Sequence, residues 1–362
     1  MNVSGIISEY NPFHNGHKYH IEQTRKLTNP DVLVCVCSGN YNQRGDISII
    51  DKFEKTKAAL NNGVDLVVEL PYIFTTQNAY VFGKNAVNIL SKLNVSNLVF
   101  GSETNNIEEL KKYAELEVDV TRLKELMRDG SSYPKAYGLL AGSLYPNDIL
   151  AVTYLKAIKD TNINPLSIQR TNDYLSTDMN IIASASAIRK AIKENKDYSM
   201  ATPLIIDEPH FNSDLYPYLR QLLFTLSRNE LQEFFLVNEG IENMLIENAI
   251  KYDKYEDFIN NATSRRYTKS RIQRVCLQIM NHIKKEDVIN LPELDYIRVL
   301  GFNNKGQELL KSLKENGNIV TQFKNIPEPY KTIEWKTNLL YSTLYKNPSE
   351  YIKKELKGPI II

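Results

Sequence analysis

The sequence predicts an α/β fold: a doubly wound parallel sheet over residues 1–200, followed by a mainly α-helical C-terminal domain over residues 201–362. Three observations predict it. Short apolar runs alternate with helical patterns through the first half, the rhythm of parallel strands joined by crossover helices. One run, Asp31-Val-Leu-Val-Cys-Val-Cys37, is almost wholly apolar and rich in β-branched residues, as a strand buried on both faces must be. The alternation ends near residue 200, beyond which helical patterns dominate.

Taken in order, Val3–Ser8 is the first strand and Lys18–Lys26 the first helix. Asp31–Cys37 is the second strand. Ile50–Asn61 is a helix stopped by Asn62-Gly63, a residue pair that readily leaves the right-handed helical conformation. Asp65–Leu70 is a third strand, ended by Pro71. Ala79–Leu93 is helical, and Asn97–Phe100 is a short fourth strand running into Gly101-Ser102-Glu103. A helix over Asp148–Lys159 precedes a fifth strand, Asn164–Gln169. The segment Met200–His210 carries two prolines and reads as a linker. Helical patterns follow from Leu215 to Lys285, and Leu294–Leu300 and Gly306–Asn316 are expected to continue them.

Composition excludes some classes. No apolar run approaches the ~20 residues that span a bilayer, and the N-terminus lacks a signal-peptide pattern, so a cytoplasmic location with no membrane partner is expected. The three cysteines are Cys35, Cys37 and Cys276. Cys35 and Cys37 fall on one face of a strand, which disfavours a bridge between them, and the odd count suggests free thiols. No second Cys/His pair stands at ligand spacing, so no protein-held metal is expected. Net charge is only +1, so an RNA partner would need a local basic patch.

The loop after the first strand reads Glu9-Tyr-Asn-Pro-Phe-His-Asn-Gly-His17. A strand, a tight loop and a helix start are the parts of a phosphate site, because helix N-termini present unpaired N–H groups and a positive dipole end. Gly16 permits close backbone approach. Protonated or hydrogen-donating imidazoles at His14 and His17 would stabilise charge developing on a phosphate. Ligands of such sheets bind beyond the carboxyl ends of the strands, where Gly101 also lies. Asn147, in Pro146-Asn147-Asp148, reads first as a helix cap. Ser184-Ala-Ser-Ala-Ile-Arg-Lys190 places hydroxyls and a cation at a helix start, a second place for phosphate. Farther on, Ser264-Arg-Arg-Tyr-Thr-Lys-Ser-Arg-Ile-Gln-Arg274 is basic and carries Tyr267. On a helix, Ile272, Val275, Cys276, Ile279 and Ile283 make an apolar stripe, with Arg271, Arg274 and Gln278 on an outward face. Such a face would hold RNA through its phosphates, and Lys18, Arg25 and Arg44 could extend the track.

His14-Asn15-Gly16-His17 resembles the H-x-G-H signature of the nucleotidyltransferase-like superfamily. The longer N-terminal form, with the chain length and helical second half, is similar to the tRNA-Met cytidine acetate ligase family across the whole chain. The resemblance implies ATP as substrate, with magnesium expected alongside it. Acetate would be activated as acetyl-adenylate, and the acetyl group passed to N4 of the wobble cytidine of elongator tRNA-Met. It implies catalytic roles for His14 and His17. It implies ATP contacts from Ile7, Ser8, Glu9, Tyr10, Asn11, Pro12, Phe13, His14, Asn15, Gly16, His17, Lys18, Tyr19 and His20, and from Gly101, Asn147, Arg170, Ser184, Ser186 and Arg189. It implies tRNA contacts from Arg265, Arg266, Lys269, Arg271 and Arg274. Ala185 and Ala187 stand where the superfamily often has hydroxyl residues, and Thr171-Asn-Asp-Tyr174 where a glycine-containing loop is common. Two alternatives stay open on sequence alone: a metabolite adenylyltransferase of the same superfamily, and a non-catalytic RNA-binding protein. Acetate contacts, anticodon reading and oligomeric state are not specified by the sequence.

Overall fold

A computed structural model describes residues 1–142, 144–170, 181–313 and 318–362. Five parallel strands form the catalytic side of one sheet: β1 (Val3–Ser8), β2 (Val32–Ser38), β3 (Leu66–Leu70), β4 (Asn97–Ser102) and β5 (Asn164–Gln169). Their order is β5-β4-β1-β2-β3. The chain therefore builds outward from β1 in one direction, then returns to place β4 on its other side. The β1/β4 junction is the switch point of the sheet, where the connecting helices diverge and leave a crevice.

Helices named below are α1 (Asn15–Thr28), α2 (Lys52–Asn61), α3 (Ala79–Lys92), α4 (Pro146–Ile158), α5 (Ala185–Lys193), α6 (Lys269–Met280), α7 (Tyr330–Ser342) and α8 (Pro348–Lys357). Strand alternation sorts the core into two layers. Val34, Val36, Leu98 and Phe100 pack with Phe82 and Leu90 of α3 and Leu155 of α4. Leu33, Cys35, Val67 and Val99 pack on the other face with Ile21 of α1 and Ala59 of α2. The three cysteines are free and buried, as their spacing suggested.

The expected helix over Leu294–Leu300 is instead a strand. β6 (Tyr296–Phe302) runs antiparallel to β3, and β7 (Asn318–Val320) and β8 (Ile360–Ile361) lie parallel to β6. All seven residues of β6 are buried, so the run has neither polar alternation nor a helical stripe to declare itself. Arg298, the charged residue of the run, has its guanidinium buried 3.5 Å from Glu355 of α8. The sheet is thus mixed, and residues of the C-terminal part complete its outer edge. Lys52 of α2 reinforces that edge, with its ammonium 2.9 Å from Glu69 and 2.8 Å from Glu355. Burial opposes its charge, but the two carboxylates prevail and hold its pKa above the ordinary lysine value.

The arginine-bearing helix also differs from expectation. Ile272, Val275, Cys276, Ile279 and Ile283 are buried, as the stripe requires. Gln278 does not face solvent, however. It is fully buried, donating to Thr76 Oγ1 at 3.0 Å and accepting from the Tyr72 hydroxyl at 3.3 Å. α6 packs between C-terminal helices and the segments that follow β2 and β3, so part of its polar side meets protein. No described helix is long and apolar enough to cross a membrane.

Candidate active site

A cleft of about 240 Å³ opens at the β1/β4 switch point. Its floor is the end of β1 and the start of α1. The helix begins earlier than the sequence pattern suggested, at Asn15, so the histidine loop is itself the helix cap. His14 Nδ1 accepts the Gly16 N–H at 3.0 Å, and His17 Nδ1 accepts the His14 N–H at 3.2 Å. This reciprocal cap satisfies two otherwise unpaired backbone donors. It also fixes chemistry. An imidazole nitrogen that accepts from an amide carries no proton, so each neutral ring carries its hydrogen on Nε2.

The two rings stack with centroids 3.7 Å apart. Burial, then the charges of Arg170 and Arg189, pull His14 down to a pKa of about 3. Burial, then His14, pull His17 well below its ordinary value. Both are therefore neutral N–H donors near pH 7 rather than cations. His20 is held down to about 4 by burial, and its Nε2 lies 3.1 Å from the Val99 carbonyl, which can only accept. Gly16 has a local reason: a Cβ there would lie 2.8 Å from His14 Cε1. Only a hydrogen leaves the capping ring in place.

The second phosphate-ready helix start is α5. Ser184 Oγ accepts the Ala187 N–H at 3.1 Å. Arg189 donates to the Asn11 carbonyl at 2.6 Å and to Ser186 Oγ at 3.2 Å, tying α5 to the histidine loop. Arg170, directly after β5, has a buried Nε with no hydrogen-bond partner among the described residues; Glu103 is 3.8 Å away. A buried guanidinium donor without an acceptor fits a site completed by an anionic ligand.

Asn147 is not the helix cap that its neighbours suggested. Tyr145 occupies that position, and Asn147 lies in the first turn of α4. Glu103 does the capping instead, accepting from the Asn147 and Asp148 amides at 3.2 Å each and from Asn147 Nδ2 at 2.5 Å. Asp148 is buried and occupied by Ser102 and Thr104.

The cleft gathers Ile7, Ser8, Glu9, Tyr10, Asn11, His14, Gly16, His17, Tyr19 and His20 with Gly101, Asn147, Arg170, Ser184, Ser186 and Arg189. Pro12, Phe13, Asn15 and Lys18 do not line it. Phe13 is core, and the Asn15 amide donates to the carbonyls of Ile181 and Met200. The Thr171–Tyr174 loop lies outside the described residues. Sequence reasoning missed Asn42, Gln43 and Asp46, from the loop after β2, and the aromatic wall of Phe82, Phe100 and Tyr154, and it assigned Arg44 of the same loop to the RNA track rather than to the cleft. The loop could have been found, since it too follows the carboxyl end of a parallel strand.

Of the basic candidates, Arg265, Arg266 and Lys269 are exposed. Arg266 and Arg271 bracket the Tyr267 ring, 5.6 and 5.0 Å from its centroid, and both pair with Glu239. Arg274 points elsewhere, donating to the Gln43 carbonyl on the cleft rim at 3.1 Å. Burial, then Arg271 and Arg44, lower it to about 10, so it remains charged. Arg25 is engaged by Asp65 at 2.6 Å, which removes it from the expected RNA track.

A switch-point crevice with two helix starts, donor imidazoles and two arginines defines an α/β enzyme acting on a nucleotide polyphosphate. The chain belongs to the HIGH Nucleotidyl Transferase family, whose pattern matches residues 1–356. It is 37% identical to the tRNA(Met) cytidine acetate ligase of Oceanobacillus iheyensis over 100% of both chains. It is 38% identical to that of Clostridium kluyveri, over 100% of this chain and 99% of the other. Among solved structures, Thermotoga maritima TmcAL superimposes with a TM-score of 0.89 for the apo form, at 29% identity and full coverage of both chains. The form bound with alpha-thio ATP superimposes with a TM-score of 0.84, again at 29% identity and full coverage.

Proposed function

We propose that this protein is an ATP-dependent ligase that activates acetate as acetyl-adenylate. It then transfers the acetyl group to N4 of the wobble cytidine of elongator tRNA-Met. The observation that carries the reading is the pair of capped imidazoles, His14 and His17, whose Nε2–H groups are fixed as donors by main-chain amides in a cleft with α5, Arg170 and Arg189. The tRNA(Met) cytidine acetate ligases among its relatives support the substrates.

The acetate carboxylate is itself the nucleophile on the α-phosphate, so no protein nucleophile is needed. The protein's work is alignment and stabilisation of the charge that develops. Ser184, Ser186 and Arg189 would meet the leaving pyrophosphate, and the imidazoles the α-phosphate. Among the described residues no three His, Cys, Asp or Glu side chains converge as metal ligands. Magnesium bound to the triphosphate would need only one or two carboxylates besides the phosphates, and Glu9 and Asp46 line the cleft. The arginine surface around Tyr267 would position the tRNA through its phosphates, as part of the mainly helical region after residue 200. Buried free thiols support a reducing, cytoplasmic setting.

The test is direct. Labelled acetate, ATP and tRNA-Met incubated with folded protein should yield label in N4-acetylcytidine, and ATP should raise the unfolding temperature. Absence of label from the tRNA rejects the assignment.

A further inference from the structure

Activation and transfer make different demands. The first step needs no base, because acetate is already an anion. The second does. The exocyclic amine of cytidine is a weak nucleophile, and it becomes acidic as it bonds to the acetyl carbon. Some group must take its proton.

Among the described residues that line the cleft, the carboxylates are Glu9 and Asp46. The Nδ1 atoms of His14 and His17 are occupied by amides, and their Nε2 atoms already carry hydrogen. Asp46 Oδ1 accepts from Gln273 Nε2 at 2.6 Å. Glu103 and Asp148 are consumed at the start of α4. Glu9 remains. It follows β1 directly and lines the cleft. The Gln43 N–H occupies its Oε1 at 2.5 Å, which leaves Oε2 for a further proton.

Glu9 is also held by the element that meets the tRNA-facing side. Its partner, Gln43, lies in the Asn42–Asp46 loop, and that loop is bolted to α6. Arg274 donates to the Gln43 carbonyl, and Gln273 to Asp46. At Gly45, φ is +87° and an added Cβ would lie 2.5 Å from the Arg274 amide nitrogen. The helix that follows the arginine surface therefore fixes the loop that fixes Glu9.

We propose that Glu9 is the general base of acetyl transfer, acting on the reading of function given above. The N4–carbonyl bond forms and the bond from the carbonyl carbon to the phosphate oxygen breaks. The electron pair leaves with AMP, and one N4 proton passes to Glu9 Oε2. The electrostatics agree with this role. Burial raises Glu9 above the ordinary carboxylate range, and Asp46 adds to the rise. Gln43, Lys55 and Arg44 oppose it, and the Tyr154 phenol faces it as a neutral group, pushed up by burial and then by Glu9 itself. A carboxylate poised upward is a stronger base.

Glu9→Gln keeps the shape and the Gln43 bond. Two half-reactions separate its effects: acetate-dependent exchange of pyrophosphate into ATP reports activation, and single-turnover acetylation of tRNA-Met reports transfer. The variant should lose about 100-fold in transfer and at least tenfold less in exchange. Equal losses in both, or transfer at the wild-type rate, overturn the proposal. The wild-type pH profile for transfer gives a second reading that needs no variant. It should carry an acidic limb centred above the ordinary glutamate pKa, and a profile flat through that region also overturns the proposal. Wild-type protein that shows no acetate-dependent exchange would instead refute the underlying assignment.

Discussion

Gly16→Ala should separate activity from stability. The added Cβ would sit 2.8 Å from His14 Cε1 and 3.0 Å from Nδ1. Opening the first contact to the 3.4 Å of ordinary packing moves the ring by about 0.6 Å. The ring has little room to yield, because His17 stacks on one side at 3.7 Å. The shift breaks the Gly16 cap, at a cost of about 1 kcal/mol. Alanine in place of glycine inside the first turn of α1 returns a comparable ~1 kcal/mol of helix propensity. Net stability should therefore change by less than about 1 kcal/mol. Catalysis has no such offset. Removing a donor aimed at developing charge costs roughly 3–4 kcal/mol, and displacing one by this distance should cost about 2, or some 30-fold in rate. The assay is acetate-dependent pyrophosphate exchange alongside urea unfolding. A variant that exchanges at the wild-type rate would show that the fixed Nε2–H of His14 plays no part.

Gly45→Ala should destabilise the fold by about 2–4 kcal/mol, from a left-handed backbone that alanine resists and a collision with the backbone of α6; a denaturation midpoint unchanged from wild type would contradict the tight contact. Replacing Arg266 and Arg271 with alanine should weaken tRNA binding and reduce the slope of log K against log salt by about one per arginine, and an unaltered slope would remove that surface from the interface. Glu334 on α7 is pushed up to about 8 by burial, then by Glu69, and accepts the Tyr72 N–H at 2.7 Å. A carboxyl whose folded pKa is raised stabilises most in acid and loses that contribution as pH rises from the unfolded value through the folded one. Relative to wild type, Glu334→Gln should therefore gain about 1 kcal/mol per pH unit between pH 4.5 and 8; parallel stability curves would mean that Glu334 ionises normally.

What the sequence disclosed, it disclosed through local chemistry. Val3–Ser8, Asn164–Gln169 and the start of α3 coincide with their predicted positions because turn residues and apolar runs mark them without reference to the rest of the chain. His14, Gly16 and His17 were legible for the same reason, since a strand, a loop and a helix start are contiguous. The missed features all depend on distant partners. β6 reads ambiguously until Glu355 is seen to neutralise Arg298. Gln278 and Arg274 look solvent-facing until Tyr72, Thr76 and Gln43 are brought against them. Asn147 resembles a cap because its true capping partner, Glu103, is supplied by another segment. The family resemblance pointed to residues most of which line the cleft, but it could not reveal that the β2–α2 loop forms one rim of the same cleft.

The outer edge of the sheet also has a consequence for how the molecule is made. β3 gains its flanking neighbour only when residues 296–302 arrive, and that neighbour is in turn bordered by residues 318–320 and 360–361. During synthesis the histidine loop emerges well over 250 residues before the strands that complete the framework behind it. Fragments cut near residue 200 would leave β3 as a bare, sticky margin, so this enzyme should resist dissection into independently expressed halves.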